Sequence, residues 1–339
     1  MINIRNFDLI DLKKILFSMK EPPYRAIQIF NWLYKKGIED ISLMSDISKH
    51  LRDFLASQYS AKLPELFNVK ISRDTTRKFV FRLSDNRFIE TVLIPEQKRN
   101  TLCISTQVGC KYNCRFCASG KMGFVRNLET WEIIGQVLYI LFKEKINITN
   151  IVYMGMGEPF DNYDAVIRSI RIINDRNGIN IGARRITVST AGVVPEIIKF
   201  TNLKWQVRLS VSLHSAIEET RSFLMPINKK YPLSEVIKAC HFYVQNTKRK
   251  ITFEYILIEG INDTKKHVLA LADVASLLGA SVNIIPFSRI KECEFSKPSD
   301  EKIVWFSRCL KEKGIRTTVR RSRGLDIDAA CGQLAGTLN

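Results

Sequence analysis

The chain is 339 residues long, with 45% hydrophobic and 25% charged residues, enough apolar surface to offset the ordering entropy of a globule, so a disordered chain is excluded. Its 52 Lys and Arg against 34 Asp and Glu leave a formal net charge of +18, which favours a polyanionic partner. No stretch approaches the ~20 apolar residues of a bilayer crossing, and Met1–Asp8 lacks a basic-then-apolar leader pattern, so no membrane role and a cytoplasmic location are expected.

Apolar residues at three- and four-residue steps predict helices over 9–19, 24–36 and 44–59. Pro22-Pro23 opens the second, and Gly37 stands where its cap is expected. The run Phe30, Trp32, Leu33 and Tyr34 reads as core. Residues 1–70 are therefore expected to be a small helical accessory domain. From Lys78 the period changes: 78–83 and 88–94 are β-rich and joined through Ser84-Asp85-Asn86, a hairpin that makes 71–100 a linking unit.

Beyond it, strands are predicted at 101–105, 150–154, 186–189, 207–213, 251–258, 282–286 and 317–319. They alternate with helices near 129–143, 162–174, 232–246, 263–278 and 299–313. Such alternation is that of an α/β fold, parallel strands with crossover helices in an open or closed barrel, over residues 101–339. Basic pairs such as Lys13-Lys14, Arg184-Arg185 and Arg320-Arg321 are spread through these segments and not gathered in a tail, which implies a broad electropositive face.

Eight cysteines in a chain expected to meet a reducing cytosol direct attention to metals or catalysis. Cys110, Cys114 and Cys117 form C-x3-C-x2-C. Three thiolates on one short loop can hold three corners of an iron–sulfur cubane and leave the fourth iron open to a cofactor or substrate. A structural zinc site would want a fourth ligand and usually a second cysteine pair, and neither is evident.

Cys110-Lys-Tyr-Asn-Cys114-Arg-Phe-Cys117 resembles the cluster loop of the radical S-adenosylmethionine enzymes. With Gln107-Val108-Gly109, Gly120–Leu128, Met154-Gly155-Met156-Gly157-Glu158-Pro159 and Asp326–Leu334, the chain resembles the RlmN/Cfr family of RNA methyltransferases. The resemblance implies a partial (β/α)6 barrel, a small N-terminal helical domain that helps to bind RNA, a 4Fe-4S cluster held by Cys110, Cys114 and Cys117, and two S-adenosyl-L-methionine molecules per turnover. It also implies 23S rRNA and tRNA as partners and an electron-donor protein.

Adenine C2 and C8 are not nucleophiles, so displacement on a methyl sulfonium cannot methylate them, whereas a carbon radical can add. The resemblance assigns Cys331 as the methyl carrier whose S-methyl group loses hydrogen to a 5′-deoxyadenosyl radical and then attacks the base. It assigns Cys103 as the thiol that releases the adduct by closing a disulfide with Cys331, and Glu90 as the proton acceptor. For the cofactor it carries over Gly157, Glu158, Ser189, Ser212, Leu213 and His214. Where the family has Pro-aromatic-Asn, this chain has Pro286-Phe287-Ser288, so a hydroxyl replaces an amide at Ser288. Cys240, Cys293 and Cys309 read as structural. Methylation of adenine C2 is the leading expectation. The alternatives are a Cfr-type enzyme acting on C8, from which Arg321-Ser322-Arg323-Gly324 points away, and a non-catalytic metal-cluster RNA-binding protein.

Overall fold

The computed structural model describes residues 1–290 and 293–335. Its chain begins with three helices, α1 (Leu9–Ser18), α2 (Tyr24–Tyr34) and α3 (Lys49–Gln58). A capping box starts α1: Asp8 accepts from the Ile10 and Asp11 amides, and Asp11 accepts from the Asp8 amide. The apolar faces of the three meet in one core through Leu12, Leu16, Ile29, Phe30, Leu33, Leu51 and Leu55. Trp32 departs from the core expectation. It is half-buried, donates to Asp46 Oδ1 at 2.6 Å and carries Lys36 Nζ over its ring at 3.2 Å.

Ten strands form the main sheet: β1 (Glu65–Ile71), β2 (Arg77–Arg82), β3 (Phe88–Glu96), β4 (Arg99–Cys103), β5 (Asn150–Tyr153), β6 (Ile186–Thr190), β7 (Arg208–Ser212), β8 (Thr252–Leu257), β9 (Ser281–Pro286) and β10 (Thr317–Val319). They lie side by side in chain order. Strands β1 to β4 pair antiparallel, and β4 to β10 pair parallel. The predicted hairpin is present, yet it continues the barrel sheet instead of standing apart from it. Strand β1 occupies the end of the segment read as helical. It is an edge strand with a register shift between Leu66 and Asn68, and that bulge breaks the two-residue alternation a sequence reading depends on.

The remaining helices are α4 (Ala118–Lys121), α5 (Thr130–Leu138), α6 (Tyr163–Asn174), α7 (Val194–Asn202), α8 (Glu218–Leu224), α9 (Leu233–Thr247), α10 (Lys265–Leu278) and α11 (Asp300–Glu312). Helices α7 and α8 have no counterpart among the predicted elements, since nine and seven residues leave too few turns for a 3.6-residue period to show. The N-terminal helices attach to the barrel through ion pairs of Asp8 with Arg171 at 3.3 Å and Asp11 with Arg168 at 3.1 Å. Among the described residues no helix is long and apolar enough to cross a membrane.

Candidate active site

The parallel strands direct their C-terminal ends at one cavity, where open α/β folds collect functional groups. Its walls include Cys110, Cys114 and Cys117, the Gly155–Pro159 turn after β5, Ser189 on β6, Ser212 on β7, His214, Glu254 on β8, and Cys331.

The cysteine loop is framed by a two-stranded ribbon, Gln107–Gly109 with Phe124–Asn127. Gly109 has φ +73°, and a Cβ there would lie 1.8 Å from the Gly123 carbonyl oxygen, so only glycine fits before Cys110. The Cys110 amide donates to that same oxygen at 2.9 Å, and the Cys117 amide donates to the Cys114 oxygen at 3.0 Å. Asp161 ties down the loop's outer side, accepting from Tyr112 Oη at 2.8 Å and pairing with Lys111 at 2.9 Å.

Burial pushes the Cys110 thiol up to about 12, moves Cys114 well above its ordinary value and raises Cys117. A metal that takes thiolates supplies the positive charge these positions lack. The three thiols line one shared cavity wall, and three thiolates on one loop are the donor set of a cubane that leaves one iron open, whereas a structural zinc takes four protein ligands. The donor set thus fits the 4Fe-4S group.

After β5, the carboxylate of Glu158 accepts from the Phe160 amide at 3.1 Å and the Ala191 amide at 2.7 Å, while its own amide donates to Gln107 Oε1 at 2.8 Å. Burial raises its pKa to about 7. Gly157, with φ +93°, has no space for a Cβ, which would stand 2.4 Å from Gln107 Cβ. Its glycine is thus required by the neighbouring strand ribbon as well as by any ligand. Across the sheet, the Ser189 and Ser212 hydroxyls are 3.4 Å apart on adjacent strands.

His214 has φ +56° and is locked by Asn262, whose Nδ2 donates to the His214 oxygen at 2.7 Å. Its Nδ1 accepts from the Ile256 amide at 3.0 Å, which leaves the ring proton on Nε2. Burial, aided by the Arg221 charge, lowers its pKa to about 3, so the ring is neutral. Two expected cofactor residues are not among those lining the cavity. Leu213 is fully buried in the core and is not among the residues lining the cavity. Ser288 lies outside the same lining and donates to Ser322 Oγ at 3.2 Å.

Residues 326–335, which carry Cys331, are fastened on two sides. The Ala118 amide donates to the Gly332 oxygen at 2.7 Å, and Ser119 Oγ donates to the Leu334 oxygen. Toward the hairpin, Lys78 Nζ donates to the Asp328 oxygen at 3.0 Å, and the Ala335 amide donates to Glu90 Oε2 at 3.1 Å. Glu90 and Lys78 form a buried ion pair at 3.3 Å. Glu90 therefore stands against the segment bearing Cys331 and is not among the residues lining the cavity. Cys103, at the end of β4, is likewise not among the residues lining the cavity, and the charge of Cys331 bears on it. Burial pushes Cys103 up to about 12 and raises Cys331. The Arg320 guanidinium pulls both down.

Residues 104–272 match the Radical SAM superfamily, and residues 2–60 match the ribosomal RNA large subunit methyltransferase N-terminal domain. A "Probable dual-specificity RNA methyltransferase RlmN" of Thermoanaerobacter sp. (strain X514) is 45% identical over 335 residues, 98% of each chain. The chain belongs to the RlmN family. A protein of the same printed name from Bacillus pumilus (strain SAFR-032) is 43% identical over 98% of this chain and 94% of its own. The crystal structure of a radical SAM methyltransferase from Sphaerobacter thermophilus superposes with TM-score 0.93 at 42% identity, covering 99% of this chain and 100% of that one. A FeFe-hydrogenase maturase, HydG of Carboxydothermus hydrogenoformans, is 17% identical with TM-score 0.52 over 67% of this chain and 55% of its own, and shares the fold alone. As a member of the RlmN family, the chain is a radical SAM RNA methyltransferase that uses a 4Fe-4S cluster and S-adenosylmethionine.

Sequence reading missed Glu254, Asn262, Arg320 and Arg221. Glu254 had a usable signal, a lone carboxylate within an apolar strand; it accepts from Asn283 Nδ2 at 2.7 Å, and burial raises its pKa. Arg221 lies on α8, an element with no predicted counterpart.

Proposed function

We propose that this enzyme methylates C2 of an adenosine in 23S rRNA at the peptidyl-transferase centre, and of the adenosine 3′ to certain tRNA anticodons, with Cys331 as covalent methyl carrier. One observation carries the reading: Cys331 shares a cavity wall with Cys110, Cys114 and Cys117, and its charge bears on Cys103. The names of the relatives support C2 over C8.

When bound, the cluster supplies the electron that cleaves the sulfonium of S-adenosylmethionine. Cys110, Cys114 and Cys117 would hold it, and Glu158 and the Ser189 and Ser212 hydroxyls would orient the cofactor beside it. Neutral His214 offers one donor, Nε2–H, and no charge. Cys331 takes a methyl group as a thiolate, an ionisation that burial opposes and Arg320 assists. After loss of hydrogen its S-methylene carbon adds to the base, which must leave its stack to reach this depth. Glu90 would take the ring proton: its Oε1 pairs with Lys78 but makes no hydrogen bond, and because the carboxylate is fully buried outside the cavity lining, residues 326–335 would have to shift for the base to reach it. Cys103, as a thiolate, then attacks Cys331 sulfur: the S–S bond forms as the Cys331 S–CH2 bond breaks, the methylated base departs, and the odd electron left by the radical addition would pass back to the bound cluster. In the cytoplasm an electron-donor protein would reduce both cluster and disulfide.

The test uses two substitutions. Cys331→Ala should abolish methylation, whereas Cys103→Ala should accumulate a covalent protein–RNA adduct, visible as a slow-migrating band that resists denaturant. Free turnover by either variant contradicts the assignment.

A further inference from the structure

Arg221 is fully buried, and among the described residues no carboxylate stands within ion-pair distance of it. Its nearest acid, Glu218, is reached only through Asn228: Arg221 Nε donates to Asn228 Oδ1 at 3.0 Å, and Asn228 Nδ2 donates to Glu218 Oε1 at 2.6 Å. The remaining guanidinium bonds go to main-chain oxygens, Ser212 at 2.9 Å, Leu213, and Ala191 at 2.7 Å, and to Met225 Sδ at 3.2 Å. A buried guanidinium satisfied by neutral acceptors keeps its hydrogen bonds and its charge, and that charge needs an anion. Its pKa, lowered to about 10 by burial, still leaves it a cation at neutral pH. The nearby Cys240 thiol is pushed up to about 12 and offers no anion.

The fold provides this position deliberately. Gly192, with φ +108°, would bring a Cβ within 3.2 Å of Arg221 Nη2 and 2.9 Å of Val236, so the turn after β6 leaves space for the guanidinium. Helix α8 abuts the cysteine loop: the Arg115 amide donates to the Leu224 oxygen at 3.0 Å, and the Arg115 guanidinium stacks on Phe223 at 4.1 Å. The charge of Arg221 bears on Cys114, a thiol in the wall of the same cavity as Met225, which accepts from Arg221 at 3.2 Å.

We infer that Arg221 is the built-in counter-charge of the iron–sulfur cluster, a positioning residue that favours cluster reduction from a fixed place against Met225 of the cavity wall. The inference rests on the cluster reading of the three cysteines. A cubane on thiolates is anionic and gains negative charge on reduction, so a nearby fixed cation favours the reduced state. Its hydrogen bonds go to Asn228, to Met225 Sδ and to main-chain oxygens at the ends of β6 and β7, and it is not among the residues lining the cavity, so it acts through charge and not by contact with the cofactor.

The test is an anaerobic redox titration of reconstituted protein, followed by electron paramagnetic resonance, with iron content measured alongside. At the potential where wild type is half reduced, Arg221→Gln should show a roughly tenfold lower ratio of reduced to oxidised cluster, and Arg221→Lys should stay close to wild type. If Arg221→Gln does not fold, the double variant Glu218→Gln/Asn228→Asp moves one carboxylate onto the guanidinium at constant net charge and should lower the ratio in the same direction. A double variant or an Arg221→Gln protein that titrates with wild type overturns the inference, as does an Arg221→Lys protein shifted as far as Arg221→Gln. A wild type that takes up iron but forms no cluster overturns the cofactor reading instead.

Discussion

Burial keeps Glu158 protonated up to about pH 7 in the folded chain, against an ordinary value of 4.5. A carboxyl raised in this way stabilises the fold most below pH 4.5, and the contribution is lost as pH rises to about 7, because over that window the folded chain holds a proton that the unfolded chain has released. Denaturant unfolding of the cluster-free protein should therefore show a decline on the order of 3 kcal/mol across that window. Glu158→Gln should flatten it, and an unchanged slope in that variant would place the titrating group elsewhere. The same scale explains which site residues were legible. Cysteine spacing marks chemistry whatever the side-chain direction, so Cys110, Cys114 and Cys117 could be named from the sequence. Ser212, Leu213 and His214 were named together from one motif, but neighbours at a strand end point to opposite faces; Ser212 and His214 reach the cavity and Leu213 turns into the core. Ser288 stands beyond the end of β9, where no alternation predicts its direction.

At the scale of elements, the site depends on turns that admit no side chain. Gly109→Ala must accommodate φ +73° and a Cβ 1.8 Å from the Gly123 oxygen, which costs roughly 1–3 kcal/mol in backbone strain before the clash is counted. The ribbon should open, with a lower Tm and less than half the wild-type iron after reconstitution; full iron uptake would show that the ribbon does not shape the cysteine loop. The parallel strands were readable because burial on both faces makes them nearly continuous apolar runs, as in Ile251–Ile258, broken by Thr252 and Glu254. Edge strand β1, with its bulge, and the short helices α7 and α8 were not, because the first breaks a two-residue period and the others barely begin a 3.6-residue one. The sequence also held no sign that the hairpin would join the barrel sheet, since pairing of β3 with β4 is a contact between segments that each look self-sufficient.

Over the whole molecule, the Lys78–Glu90 pair joins the hairpin to the segment bearing Cys331, some 250 residues away in the chain. Lys78→Met leaves Glu90 buried without its partner and should cost about 3–5 kcal/mol. It should also free residues 326–335, seen as faster alkylation of Cys331; an unchanged alkylation rate would argue against the tether. The net charge of +18 gives RNA binding a steep salt dependence, with affinity falling linearly in log–log form as counterions are retained. A flat salt profile would remove phosphate contacts from the account. The central claim is that Cys331 carries the methyl carbon to adenine, and the most direct measurement is mass spectrometry of RNA and protein after turnover with trideuteromethyl S-adenosylmethionine. The account predicts labelled methyl on Cys331, then product at adenine C2 with two deuteriums and the third in 5′-deoxyadenosine. An intact trideuteromethyl group on the base would mean direct transfer and would contradict the role given to Cys331.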